Sequence, residues 1–530
     1  MKSLIKNITK KEWHWLVLIS LILLVIVFAP TVFGIMSTPP GFQFTGLKIP
    51  DEGDYWTFFS RLEQSRQGNV FHQYLYSTEP MPKVLFFPVW SMMGLIGGGL
   101  GLTSQQAFYF FQLILIPILV ISLFLLISQF IKERAWKIVT LVATVFATGS
   151  DWLFWPMFKN KFNWLGFDLG LPDTHILTGV YHSPHIIFLL IFICWIFIAL
   201  LELERTGRTY YSWLAGIFSM LLFLSHPYQV IPLLGTVTLY FFYQSVIKNQ
   251  AWLIKKLLPF IFLNLLTGAY LFYLWSSFDV IKSWNQHNDV LNNLLNGPAW
   301  VLLLLSSYSI FGLLALFKIY HTIKNKKAGD YLLLIIWTAV IIISLSLPIQ
   351  WKGKMILGLS IPITILGSMG LKFIWEKVRS FLLKSIFIWL IVVLTLPSGS
   401  FLIGHHFSRY QLASQTLDTE FYLPKDVIAG LIWLRTIPDD AIVLSWPAYS
   451  MMVPAYSGRK VYAGFIYETL NYENKFRATV QFFTGGLGRE FLTASGIEYV
   501  LIDSSLTDFN KEYLALVFSN PAVKIFRVIK

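Results

Sequence analysis

Eleven apolar stretches, each 16 to 25 residues long, recur along this 530-residue chain, and a water-soluble core has no room for so many. They fall at 14–36, 106–130, 137–156, 184–203, 210–225, 228–247, 256–276, 298–318, 330–348, 355–373 and 385–403. About 20 apolar residues in helical conformation cross the hydrocarbon core of a bilayer, so the pattern predicts a mainly α, polytopic membrane protein. Composition agrees, with 55% of residues hydrophobic and 13% charged, against about 45–50% and about 25% in soluble domains. The formal net charge of +13 could serve nucleic acid, but most Lys and Arg stand in short connections between the apolar stretches. That placement is an orientation signal, not a nucleic-acid face. Cys194 is the single cysteine, so no intramolecular disulfide is possible. The first stretch is too long for a signal-peptide core and is expected to remain as an anchor.

Charge counting orients the spans. Lys2, Lys6, Lys10 and Lys11 precede the first stretch, which predicts a cytoplasmic N-terminus. About twenty basic residues then share that side, against about nine on the other. They do so only if the further apolar segment 84–101, ending in Gly97-Gly98-Gly99-Leu100-Gly101, does not fully cross. It is therefore expected to be a re-entrant or interfacial helix, leaving eleven spans and an external C-terminus. The external connections 37–105, 157–183, 277–297 and 349–354 are long or chemically varied, and function follows loops held on a rigid scaffold.

The external loop 37–105 opens with Ile49-Pro50-Asp51-Glu52-Gly53-Asp54-Tyr55-Trp56, three carboxylates within four residues. One of them could cap a helix over 55–67 whose apolar face, with Tyr55, Phe58, Phe59 and Leu62, would lie along the membrane surface. Capping does not call for three acids, and carboxylates at a membrane boundary lose hydration unless partnered. Asp51, Glu52 and Asp54 are therefore catalytic candidates, with Asp51 and Glu52 also possible metal ligands. Further along, Thr78-Glu79-Pro80-Met81-Pro82-Lys83 offers Glu79 and Lys83 as substrate-binding candidates on a segment stiffened by proline. Gln350-Trp351-Lys352-Gly353-Lys354 puts two cations in a short external turn. Lys352 and Lys354 either reach lipid headgroups or contact a lipid-linked phosphate. His182 and His185 are spaced as metal ligands can be, but Pro184 breaks the helical face that would align their rings; with His226 they suit hydrogen bonding to a sugar or phosphate. No P-loop, dinucleotide fingerprint, Gly-x-Ser-x-Gly or Cys-x-x-Cys motif is present.

Beyond about residue 404 the polarity becomes ordinary. Strands are expected at 441–445, 460–464, 499–503 and 523–529, with helices at 425–436 and 471–483, ended by Pro438 and by Gly485-Gly486. Strands alternating with helices predict a small α/β domain around a mostly parallel sheet. The chain is thus divided into a transmembrane domain, 1–404, and an extracytoplasmic α/β domain, 405–530.

A first span, an external loop opening on clustered acids, many further spans and an external α/β domain resemble the GT-C superfamily of membrane glycosyltransferases. The segments that carry the resemblance are 51–83 (DEGDYWTFFSRLEQSRQGNVFHQYLYSTEPMPK) and 433–468, from Trp433-Leu434-Arg435 through Ile437-Pro438-Asp439-Asp440 and Ser457-Gly458-Arg459-Lys460 to Glu468. The resemblance implies a GT-C-like bundle of about eleven transmembrane helices in the plasma membrane. It implies a polyprenyl-phosphate sugar as donor, transfer outside the cytoplasm onto a glycan, lipid or protein acceptor, and inversion at the anomeric carbon. Any of Asp51, Glu52 and Asp54 could be its general base, and a Mg or Mn ion could bind there. The main alternative is a transporter or flippase for a lipid-linked or anionic substrate. Such proteins place charges at the midplane and repeat their halves; here few charges fall mid-span and no repeat is visible. An oligosaccharide polymerase or ligase shares the donor chemistry, and a non-catalytic scaffold is the last reading.

Overall fold

The structure, a computed structural model, describes residues 5–48, 52–162, 166–284, 299–325, 331–349, 351–506 and 511–529. Among them six helices are long and apolar enough to cross a membrane: Lys10–Met36, Ser104–Phe130, Arg134–Pro156, Pro184–Thr206, Pro227–Ile247 and Trp252–Ser277. A seventh follows if Phe381–Thr395 and Pro397–Thr416, bent by 44°, count as one span. Pro397 begins the second half of that pair, where it has no N–H with which to continue the ladder.

The expected count was eleven, and the shortfall has local causes. The stretch 298–318 breaks at Tyr308 into Ala299–Ser307 and Ser309–Lys324. Only 13 residues of 330–348 are helical, Leu332–Ser344, and 210–225 gives a 16-residue helix; at 1.5 Å per residue both fall short of a core about 30 Å thick. Ser360–Lys377, in place of 355–373, carries Lys372, Glu376 and Lys377 in its last turns. Pro88–Gly99, within 84–101, has 12 residues, about 18 Å of helix, and is no span.

The chain divides into two compact units. One comprises Met1–Phe28, Gln112–Phe272 and Asn288–His405. At its centre Pro184–Thr206 is buried almost throughout. Ser309–Lys324 and Ser360–Lys377 approach closely because Gly367 and Gly370 have no side chain. A Cβ on Gly370 would stand 2.3 Å from the Leu314 carbonyl oxygen, and one on Gly367 2.8 Å from that of Phe311. Small residues at helix crossings do this in membranes. Trp252–Ser277 instead leaves Leu258, Phe262, Leu265, Leu266 and Phe272 exposed, a face that lipid would cover.

The other unit comprises Ala29–Phe111, Tyr273–His287 and His406–Lys530. A short ladder joins β1 (Phe42–Phe44) antiparallel to β2 (Tyr422–Pro424). A five-stranded sheet follows, from β3 (Ile442–Ser445), β4 (Lys460–Val461), β5 (Ile497–Asp503), β6 (Leu514–Ser519) and β7 (Val523–Val528), in the order β4-β3-β5-β7-β6. The expected strands all form, but the sheet is mixed where a mostly parallel one was expected: β4, β3 and β5 run parallel, and the β6–β7 hairpin adds antiparallel pairing. β6 was missed because it is an edge strand, mostly solvent-facing and without clean alternation. Leu444, Val500, Ile502, Phe482 and Leu492 fill the core beneath the sheet.

Candidate active site

Glu52–Arg66 is the helix that the first-loop acids open. An amphipathic helix along the membrane surface was expected. Every residue from Tyr55 to Ser65 is buried instead, polar ones included. Pro88–Gly99 lies against it through a row of glycines. A Cβ at Gly94 would meet Ser65 Cβ at 2.4 Å, and one at Gly98 would meet the Arg66 carbonyl at 2.8 Å. Phe58, Trp90 and Phe108 stack at 4.8 to 6.5 Å between ring centroids. At Gly53 the Phe465 ring comes close, and a Cβ there would fall 2.7 Å from it. Gly53 and Asp54 are half-exposed at that end. Asp51 lies outside the described residues, and Glu52 is described for its backbone alone.

Asp54 acts electrostatically on Glu468, and Glu468 forms a buried ion pair with Arg61, 2.5 Å between Oε1 and Nη2. Burial pushes the Glu468 carboxyl up to about 7; Arg61 opposes the rise and Asp54 adds to it. Arg61 also lies over the Phe87 ring, 4.2 Å from its centroid. Among the sequence candidates Glu468 figures only as the end of the 433–468 motif, and Arg61 not at all. Both residues stand where an apolar interior makes a charge costly without a partner. At the helix's other end Glu63, buried, accepts from Arg66 at 2.9 Å, Ser104 at 2.8 Å and Gln67 at 2.9 Å, and pairs with Arg435 at 3.0 Å. Arg459 donates to the carbonyls of Ile437 and Arg435 at 3.0 and 2.6 Å. Arg435 thus ties the 433–468 segment to this helix, and Arg459 braces that segment from within.

Glu79 receives the Lys475 ammonium at 2.6 Å. Burial raises its carboxyl, but hydrogen bonds from Lys475 and Ser77 outweigh that and hold it below the usual range. Lys83, exposed, donates to Asn69 Oδ1 at 2.6 Å.

The Lys pair and the histidines belong to the other unit. Lys352 is buried and Lys354 half-buried in a 3₁₀ turn, Lys352–Ile356. Lys354 Nζ pairs with Asp173 Oδ2 at 3.3 Å, and its carbonyl accepts from Gln229 at 3.2 Å and lies 3.4 Å from His226 Nε2. Burial pushes His226 down to about 4; Asp173 opposes this and Lys354 adds to it. His226 is therefore a neutral imidazole at pH 7. Tyr228 packs on Trp351 at 5.3 Å. The structure so brings together Lys354 and His226, as candidates of one turn cluster, and adds Asp173. His182 ends one helix, Ile176–His182, and Pro184 opens the next as its first residue, with Ser183 between them extended and hydrogen-bonded to His185.

The same unit holds a knot of buried acids that sequence reasoning missed. The Asp151 and Asp168 carboxylates each accept the other's backbone N–H, at 2.5 and 3.2 Å, and His175 Nε2 contacts Asp168 Oδ1 at 2.9 Å. Gly149 makes room, since a Cβ there would stand 2.4 Å from Asp168 Oδ2. The rule that flagged the first-loop acids, that a carboxylate near apolar spans needs a partner, applied equally to Asp151, Asp168 and Asp173. Among the described residues no three His, Cys, Asp or Glu side chains gather closely enough to hold a metal ion.

No protein-family model matches the sequence, and no curated protein matches it. Solved structures do. The oligosaccharyltransferase of Archaeoglobus fulgidus, in a complex with Zn and sulfate, superposes with a TM-score of 0.51 at 14% identity, over 94% of this chain and 72% of that one. The same enzyme tethered to an acceptor peptide gives 0.50 at 13%, over 93% and 69%. The arabinofuranosyltransferase AftD from Mycobacteria gives 0.50 at 12%, over 97% of this chain and 40% of its own. At such identities the likeness is one of fold. The chain is a multi-pass membrane protein with the GT-C fold that its sequence resembles.

Proposed function

We propose that this protein transfers a sugar from a polyprenyl-phosphate-linked donor to an acceptor at the extracytoplasmic face of the membrane, with inversion. A carboxylate among Asp51, Glu52 and Asp54 takes the proton from the acceptor hydroxyl. That oxygen attacks the anomeric carbon as the bond to the phosphate oxygen breaks, and the bonding pair departs with the phosphate. A base on the face opposite the leaving group gives inversion. The phosphate leaves readily without strong protonation, so the protein must mainly neutralise its charge, a task for Lys352 and Lys354. Neutral His226, with His182 and His185, suits hydrogen bonding to the donor. The orientation rule gives a cytoplasmic N-terminus and an extracytoplasmic 405–530 segment.

One observation carries the reading. The helix Glu52–Arg66 is buried from Tyr55 to Ser65, and at its acidic end Gly53 and Asp54 are half-exposed. Rigid support behind an accessible carboxylate is what a positioned base requires. Asp51 and Glu52 are hard oxygen donors suited to Mg, but no step is routed through a metal. The test supplies purified protein with a radiolabelled polyprenyl-phosphate sugar and a mixed acceptor extract, using Ala variants at Asp51, Glu52 and Asp54. Loss of transfer in at least one, with folding and donor binding intact, is expected. Full transfer by all three ends the assignment.

A further inference from the structure

A polar cleft of about 270 Å³ opens in the same unit as the acidic helix, yet away from its acidic end. Gln64, Asn69, Lys83, Asp440, Gly458 and Lys460 are among the residues that line it. Gln64 lies ten residues after Asp54 on one helix, which sets the cleft about 15 Å along the axis. We infer that this cleft is a carbohydrate-binding site for a single hydroxyl-rich, uncharged sugar residue.

The floor is built and held. Gln64 donates to the Gln73 carbonyl at 3.1 Å and accepts the Gln73 N–H at 3.0 Å, and Gln73 in turn donates to the Met81 carbonyl at 2.9 Å. Gly458 has φ +72°, and a Cβ there would press on Gln67 Nε2 at 2.9 Å, so glycine lets the amide stand in the wall. Arg459, buried, is held by Asp439 at 3.0 Å and by backbone carbonyls. The rim keeps unused capacity: Asp440 and Lys460 make no side-chain hydrogen bond or ion pair among the described residues.

The chemistry selects the ligand. Lys83, Arg459 and Lys460 stand against Asp439 and Asp440, so the lining charge nearly cancels and does not favour a phosphate. Leu75 is the one apolar side chain among the lining residues, and no ring is there to stack a base. Carboxylate, ammonium and amide groups in one small space suit neighbouring hydroxyls, each both donor and acceptor. The volume is roughly that of nine waters, room for one sugar ring. Its distance from Asp54 makes it a second subsite. If the proposed transfer holds, the cleft would grip an acceptor glycan a few residues from the reacting hydroxyl; the binding itself does not depend on that reading.

The test uses the full chain in nanodiscs and measures binding of methyl mannoside, glucoside and galactoside by saturation-transfer NMR, with inorganic phosphate as a competitor. At least one hexoside is expected to bind with a Kd in the low millimolar range, roughly what so small a ligand can reach. Asp440→Asn with Lys460→Gln should weaken it about tenfold at unchanged melting temperature, while Asp54→Asn leaves it unchanged. No hexoside binding, binding that survives the double substitution, or equal displacement by phosphate each overturns the inference. Failure of transfer with hexoside binding intact counts against the proposed reaction alone.

Discussion

Arg61 and Glu468, 407 positions apart in sequence, meet in a buried ion pair at 2.5 Å. The pair fastens the acidic-loop helix to the C-terminal segment of the same unit, and Asp54 acts on its carboxylate from the helix's first turn. Removing one member strands the other without water. Arg61→Ala is expected to cost about 3–5 kcal/mol of stability, and a paired apolar replacement, Arg61→Met with Glu468→Leu, distinctly less. Thermal unfolding in detergent would read both, and equal losses would sink the claim that pairing, not packing, holds the joint.

Glu468 also predicts a pH dependence. Its folded value, about 7, lies above the ordinary value of 4.5. A raised carboxyl contributes stability that is fully present below pH 4.5 and is lost as pH rises through 7. At 1.36 kcal/mol per unit the loss is about 3 kcal/mol. The stability difference between wild type and Glu468→Gln should therefore shift by that order between pH 4.5 and 8. A flat difference across that window would remove Glu468 as its source.

The acids at the helix start can be ranked by rate. Substituting the general base should lower transfer by about 10²–10⁴-fold with the protein still folded. Single-turnover assays on Asp51→Asn, Glu52→Gln and Asp54→Asn would identify it.

Lys354 and Asp173, 3.3 Å apart, make a second pair with a functional reading. Lys354→Ala should weaken binding of a polyprenyl phosphate about tenfold, near 1.4 kcal/mol. Asp173→Asn leaves the ammonium in place with one competitor fewer, and should hold or tighten binding. Lys354→Ala with unchanged affinity would reduce the turn to a structural one.

Gly149→Ala tests the knot of Asp151 and Asp168 in the same unit. Its Cβ would stand 2.4 Å from both the Asp168 carboxylate and the Ser307 Cα, neither of which can swing away. Overpacking of this kind costs about 1–3 kcal/mol, and an unchanged melting temperature would show the knot to be loose.

Hydrophobic length and charge placement, both local quantities, were enough to read a polytopic α protein with a polar α/β tail from the sequence. The strands at 441–445 and 499–503 were legible for the same reason, as runs of β-branched and apolar residues between breakers. Candidate residues were legible where chemistry was concentrated in a few positions, as at Asp51–Asp54 and Lys352–Lys354. Their partners were not. Glu468 and Asp173 come to Arg61 and Lys354 through the fold, and no spacing announces contacts between positions 407 and 181 residues apart. Burial of the Glu52–Arg66 helix on all sides was equally out of reach. Its polar residues look solvent-facing until the arginines and glutamates that satisfy them arrive from other segments. Local pattern fixes which segments avoid water. Only packing decides which charges those segments can keep.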